Sequence, residues 1–169
     1  MTKKIKRDID DEMFWYNFYQ NNTIKLNNLE NKIIKGSKFT DSLFNVKNNQ
    51  EIFVIKYDIL DRDNKVISNI VYNILKKKLA KDLIITDSLI QILKYEMLLL
   101  KSANLVERTL LSVYASDNEC DVLDVEFGSP ILLIKTKYYN CSEIILYKEE
   151  YTNLNTFIFE DKYHERIFI

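Results

Sequence analysis

The sequence predicts an α+β fold in which a duplicated α/β unit builds one antiparallel sheet flanked by helices. Three observations carry that expectation. Gly128-Ser129-Pro130, holding the single proline and one of two glycines, separates a helix-like stretch over 117–125 from a strand. Ile131-Leu132-Leu133-Ile134 is a continuous apolar run that becomes alternating through Tyr139, and a polar turn at 140–143 returns the chain into Ile144-Ile145-Leu146-Tyr147. The same order recurs earlier: Val46 falls on Val125, Ile55 on Ile134, Lys56 on Lys135, and Leu43-Phe44 on Val122-Leu123. Two copies describe a duplicated domain, since solenoids need three or more units to bury their faces.

The elements follow in order. Residues 8–20 form an amphipathic helix with acidic residues in its first turn, where the helix dipole favours them. Phe14 with Phe18 and Trp15 with Tyr19 make it aromatic around much of its circumference, either to pack on a sheet or to meet a partner subunit. Residues 24–35 read as irregular, becoming a strand that ends near Gly36. A short helix spans 41–46, a strand 52–60, and its return partner 66–74, with Asp61-Arg62-Asp63-Asn64 as the turn. Lys76-Lys77-Lys78 is a solvated helix start or a basic patch for anions. Thr86 or Asp87 caps a helix through Met97, with Leu89, Ile92, Leu93 and Glu96 at helical spacing. A long strand lies within 98–114, and Phe157-Ile158-Phe159 resumes strand character. Asparagine-rich patches such as Asn48-Asn49 take the turn positions glycine holds elsewhere, because Asn tolerates left-handed geometry.

At 169 residues, 47% hydrophobic and 29% charged, the chain makes one domain over 1–169, with residues 1–8 as a linker remnant. A net charge of −1 supplies no basic face for a phosphate backbone. The basic opening segment runs into Asp8, Asp10, Asp11 and Glu12, which a signal peptide would not. No apolar run approaches the ~20 residues a spanning helix needs, so the expectation is a cytoplasmic protein without a membrane partner. Two cysteines and one histidine make neither a disulfide framework nor a dense metal site. His164 lies in a polar tail, Cys120 reads as a small core residue, and no glycine loop cradles a phosphate. The expectation is a protein that is no enzyme and carries no cofactor or metal.

Polar residues on apolar strand faces are the better lead. Alternation places Tyr57 among Phe53, Ile55 and Ile59, and Thr136 among Leu132, Ile134 and Tyr138, at equivalent positions of the two units. On the return strands Asn69 lies between Ile67 and Val71 on one face, and Tyr147 between Ile145 and Glu149. A buried hydroxyl or amide without a partner costs about 1–3 kcal/mol, and protein, water or ligand can be that partner.

From 14 to 159 the chain resembles the UTRA domain, the effector-binding half of GntR-type bacterial transcription regulators related to histidine-utilisation repressors. The resemblance rests on a first block, EIFVIKYDILDRDNKVISNIVYNIL, and a second, LLSVYASDNECDVLDVEFGSPILLIKTKYYNCSEIILYKEEY, followed by a closing aromatic strand. It implies a chorismate-lyase-like fold, a small-molecule pocket between the halves, a homodimer, and DNA contact through a winged-helix domain that this chain lacks. Where relatives often carry arginines, this chain aligns Tyr57 and Ile59. It has no glutamate near Asn69, and Asn153-Leu154-Asn155 replaces a charged run. The expected pocket is lined by Tyr57, Asn69, Arg108, Thr109, Thr136 and Tyr147, with Arg108 its one bidentate fork. That predicts a neutral or singly charged effector, or none. The alternatives are a stand-alone small-molecule-binding or scaffold module and a chorismate-lyase-type enzyme.

Overall fold

The computed structural model describes residues 4–8, 11–79 and 88–160. Six antiparallel strands lie in the order β2 (Lys25–Lys35), β3 (Glu51–Leu60), β4 (Val66–Leu75), β7 (Glu143–Asn153), β6 (Pro130–Asn140), β5 (Leu105–Tyr114). A separate parallel pair joins β1 (Ile5–Asp8) to β8 (Phe157–Glu160). The helices are α1 (Phe14–Asn21), α2 (Lys38–Phe44), α3 (Leu89–Ser102) and α4 (Asp117–Leu123).

The duplication is present as β2–α2–β3–β4 and β5–α4–β6–β7. Ile55 pairs with Tyr72 in the first copy, as Ile134 does with Glu150 in the second; Tyr57 pairs with Ile70, as Thr136 does with Lys148. The copies meet at β4 and β7, where Val71 faces Glu149. Even the small helices match in their ends. Ser37 receives the Thr40 N–H and Ser116 is bound by the Glu119 carboxylate, so each helix starts with a reciprocal capping box. Each stops at a left-handed residue, Asn45 and Asp124, both with φ 51°. Asn28, Asn48, Asn49 and Asn64 also hold positive φ.

Helices α1 and α3 cover one face of the sheet, where Phe14, Trp15, Ile92 and Leu93 pack with Ile55, Ile70, Leu146 and Phe157. Tyr16, Phe18 and Tyr19 also lean on this core, so the aromatic girth of α1 is used against its own sheet. On the opposite face α2 seats Phe44 against Ile52, Val54, Leu75 and Tyr147, and α4 seats Leu123 against Ile131. Cys120 is half-buried beside that smaller cluster.

Several boundaries differ from the sequence expectation. Residues 5–8 are a strand, not linker or helix, and α1 begins only at Phe14 behind a turn in which Asp11 accepts the Met13 N–H at 3.0 Å. The stretch read as irregular is an eleven-residue strand; a bulge between Asn27 and Glu30 breaks its alternation. Residues 98–102 continue α3 rather than opening a strand. Lys76–Lys78 form a 3₁₀ turn whose Lys76 pairs with Glu51 at 2.6 Å, a solvated face. The cap expected at Thr86 or Asp87, and His164, lie outside the described residues.

Gly36 joins β2 to α2 where space is tight: a Cβ there would meet the Gln50 carbonyl at 2.5 Å and the Thr40 hydroxyl at 2.9 Å. Gly36→Ala is expected to lose about 1–3 kcal/mol, since the nearest obstacle is backbone that cannot rotate away. Urea denaturation would show it; an unchanged midpoint would mean the Gln50 strand end yields freely.

Candidate functional site

Antiparallel register decides which side chains share a face. Arg108 pairs with Thr136, Thr136 with Lys148, and Lys148 with Tyr72, so these four form a row across β5, β6, β7 and β4 beneath α1 and α3. Tyr57 lies on the same face, one strand further along. Asn69, Thr109 and Tyr147 lie on the opposite face: Asn69 pairs with Asp58, Thr109 with Lys135, and Tyr147 with Lys137. The structure therefore gathers Tyr57, Arg108 and Thr136 and separates them by the thickness of the sheet from the other three expected lining residues.

The second group is engaged locally. Asn69 donates to Asp58 at 2.7 Å, and Asn28 donates to the other oxygen of that carboxylate at 2.8 Å. Tyr147 and Tyr151 both donate to Glu149, at 2.6 and 2.8 Å; burial first, and then the Glu149 carboxylate, push both phenols up. Thr109 is exposed.

The α1/α3 side holds two buried polar clusters. In one, the Glu96 carboxylate from α3 receives Tyr138 OH at 2.8 Å, Lys148 Nζ at 2.7 Å and Tyr72 OH, and Tyr72 shares a hydrogen bond with Tyr57 at 2.9 Å. Glu96 and Lys148 are 6% and 6% exposed, so this ion pair is withdrawn from water. Desolvation, reinforced by the Glu96 charge, holds the phenols of Tyr57, Tyr72 and Tyr138 well above their ordinary range. They act as fixed donors to Glu96 and to each other.

In the other cluster Arg7 of β1 forks onto Glu150 of β7 at 2.6 and 3.0 Å. Trp15 Nε1 and Ser68 Oγ add hydrogen bonds to the same carboxylate at 3.1 and 3.0 Å. The guanidinium lies 4.5 Å from the Phe14 ring centre, with Trp15, Phe157 and Phe159 around it. Burial alone would raise the Glu150 carboxyl, but the charge and fork of Arg7, with Lys148 and Trp15, bring it down to about 2.

Tyr57 apart, the members of these clusters were not among the site residues the sequence singled out. One signal was available: Glu96 lies on the apolar stripe of Leu89, Ile92 and Leu93, where an unpaired carboxylate is unfavourable. Lys148 and Glu150 likewise alternate with Leu146 and Thr152 on an inward strand face.

Among the described residues, one void beneath α1 and α3, of about 10 Å³, is bordered by Trp15, Leu93, Glu96, Met97 and Lys148. On the opposite face an open groove of about 340 Å³ runs between α2 and the β6–β7 hairpin, past Phe39, Leu43, Lys137 and Tyr139. Among the described residues no group of three His, Cys, Asp or Glu could hold a metal ion, and no helix is long and apolar enough to cross a membrane.

No protein-family model matches the sequence, and no curated protein matches it. Solved structures do share its fold. The C-terminal domain of the histidine utilization repressor from Pseudomonas syringae pv. tomato superposes with a TM-score of 0.74 at 13% identity, covering 85% of this chain and 100% of that one. The effector domain of PhnF from Mycobacterium smegmatis gives 0.75 at 10% identity, covering 95% and 99%. Another PhnF structure from the same organism gives 0.76 at 9% identity, covering 96% of this chain and 73% of that one. The α+β fold of this chain is thus the fold of effector-binding domains of transcription regulators.

Proposed function

We propose that this chain is the effector-sensing and dimerisation domain of a GntR-type transcription regulator, acting in the cytoplasm, with DNA contact made by a winged-helix domain outside these residues. The observation that carries the reading is the end-to-end likeness to regulator effector domains, over 85–95% of this chain. The chain senses rather than catalyses: the carboxylates buried among the described residues, Asp58, Glu96 and Glu150, each accept hydrogen bonds from their own protein.

The effector site belongs on the α1/α3 side, along Arg108, Thr136, Lys148 and Tyr72, with Tyr57 and Glu96 beside them. With Tyr57 and Ile59 standing where relatives often carry arginines, Arg108 is the one bidentate fork in this row, which favours a neutral effector or one bearing a single carboxylate over a dianionic phosphate. Because the void measures only about 10 Å³, entry requires α1 to move off α3. The same filled interior favours one second reading, a scaffold module whose pocket is occupied by its own side chains.

Thermal shift against small carboxylates and sugar phosphates tests both. Sensing predicts a rise in Tm with a carboxylate, about 2.7 kcal/mol of stabilisation at 100 times the dissociation constant, lost in Arg108→Ala. A shift with a sugar phosphate alone would refute the charge argument. No shift across both libraries would favour the scaffold.

A further inference from the structure

We infer that β5 is the homodimer seam: two copies of this chain pair edge to edge through β5, antiparallel, about a twofold axis at Leu110, merging two six-stranded sheets into one. The inference deepens the homodimer reading above and rests on it.

The duplication supplies an internal comparison. Strands β2 and β5 are equivalent and form the two outer edges of the sheet. Native edges are protected by bulges, lysines and irregularity, because a bare row of N–H and C=O groups templates further pairing. Strand β2 has all three protections. A bulge lies between Asn27 and Glu30, Asn28 holds φ 49°, and Lys25, Glu30, Lys32 and Lys35 are exposed along it.

Strand β5 has none of them. Its pairing with β6 runs without a register shift from Leu105–Tyr139 to Tyr114–Pro130, so its outer edge is regular for ten residues. Among the described residues nothing pairs with that edge. Apolar side chains are exposed on both of its faces: Leu110 at 36% and Tyr114 at 80% on the α1/α3 side, Leu105 at 57% and Leu111 at 38% on the other. Strand β2 exposes one large apolar side chain, Ile33 at 49%, against these four on β5. Phe127, 76% exposed, extends the patch in the turn that follows α4.

A second copy is the occupant this edge fits. An axis normal to the sheet keeps equivalent faces together, so residues opposite each other share parity. Centring on Arg108 would oppose two guanidinium groups, which is unfavourable. Centring on Thr109 would set Leu111 against the partner's Glu107. Centring on Leu110 sets it against its own copy, Leu111 against the partner's Thr109, and Arg108 against the partner's Ser112, with no like charges opposed.

The test uses the whole chain. Light scattering at micromolar concentration should find a dimer. Leu110→Lys should weaken it at least about tenfold, with far-UV circular dichroism unchanged, while Lys32→Glu on β2 should leave it intact. Should Leu110→Lys fail to fold, cross-linking carries the test. Opposed antiparallel residues lie ~4.5–5.5 Å apart at Cα, within disulfide reach. Leu110→Cys, in a background with Cys120 and Cys141 changed to serine, should therefore give a disulfide-linked dimer on oxidation, and Leu111→Cys should not. A monomeric wild type would overturn the homodimer reading itself. A dimer that survives Leu110→Lys, or that cross-links through Leu111→Cys but not Leu110→Cys, would overturn the seam and leave that reading standing.

Discussion

Glu150→Ala is expected to cost about 3–5 kcal/mol, the range for breaking one side of a buried ion pair. The loss is large because the carboxylate serves four donor atoms: both arms of the Arg7 fork, the Trp15 indole and the Ser68 hydroxyl. Without it Arg7 is left charged inside an aromatic cage. Strand β1, which among the described residues pairs only with the four-residue β8, then loses a side-chain anchor to the main sheet. The same group sets an acid limit. Its carboxyl is depressed from 4.5 to about 2, roughly 3 kcal/mol at 1.36 per unit. A depressed folded value means this contribution is complete above the unfolded value of 4.5 and is lost as the pH falls from there towards 2. Denaturant melts over that window should show wild type losing stability more steeply than Glu150→Ala. Equal slopes, or a variant within about 1 kcal/mol of wild type at neutral pH, a surface-substitution effect, would contradict the account.

How far this was legible from the residues depends on where parity is fixed. Strands 52–60 and 131–139 were readable because each is a long apolar-rich run closed by a polar turn, and the offset between the copies is preserved through their helices. That placed Tyr57 and Thr136 at equivalent positions of one face, as the register has it. Return-strand parity was not readable. It depends on the hairpin length and on the shift between Ile59 and Leu60, which turn Ser68, Ile70 and Tyr72 towards the Tyr57 side and send Asn69 away. For Arg108 and Thr109 the sequence sufficed: adjacent residues in a strand point to opposite faces, so both cannot line one pocket floor. Strand β1 left no trace in the pattern. Four residues reading Ile-Lys-Arg-Asp carry no alternation, and their strand character comes from pairing with β8 across nearly the whole chain.

The Glu96–Lys148 pair decides whether the interior is a site or a filler, and its two halves should not behave alike. Glu96→Leu strands the Lys148 ammonium in the core and takes the acceptor from Tyr72 and Tyr138, so about 3–5 kcal/mol should be lost. Lys148→Met should cost less, because Glu96 keeps its two phenol donors, Tyr72 and Tyr138. The double variant Glu96→Leu/Lys148→Met should be more stable than Glu96→Leu by roughly 2 kcal/mol or more, since the stranded charge is gone and buried ion pairs replaced by apolar groups are often neutral in stability. Denaturant melts of the four proteins form a double-mutant cycle that reads this coupling directly. Additive losses would mean the pair is not coupled as its 2.7 Å contact implies. The double variant also separates the two functional readings. If Lys148 helps balance a bound carboxylate, this folded double variant gains no Tm from any ligand that raises wild type. If the interior is only filler, neither protein responds, and the polar pair is one that apolar packing can replace.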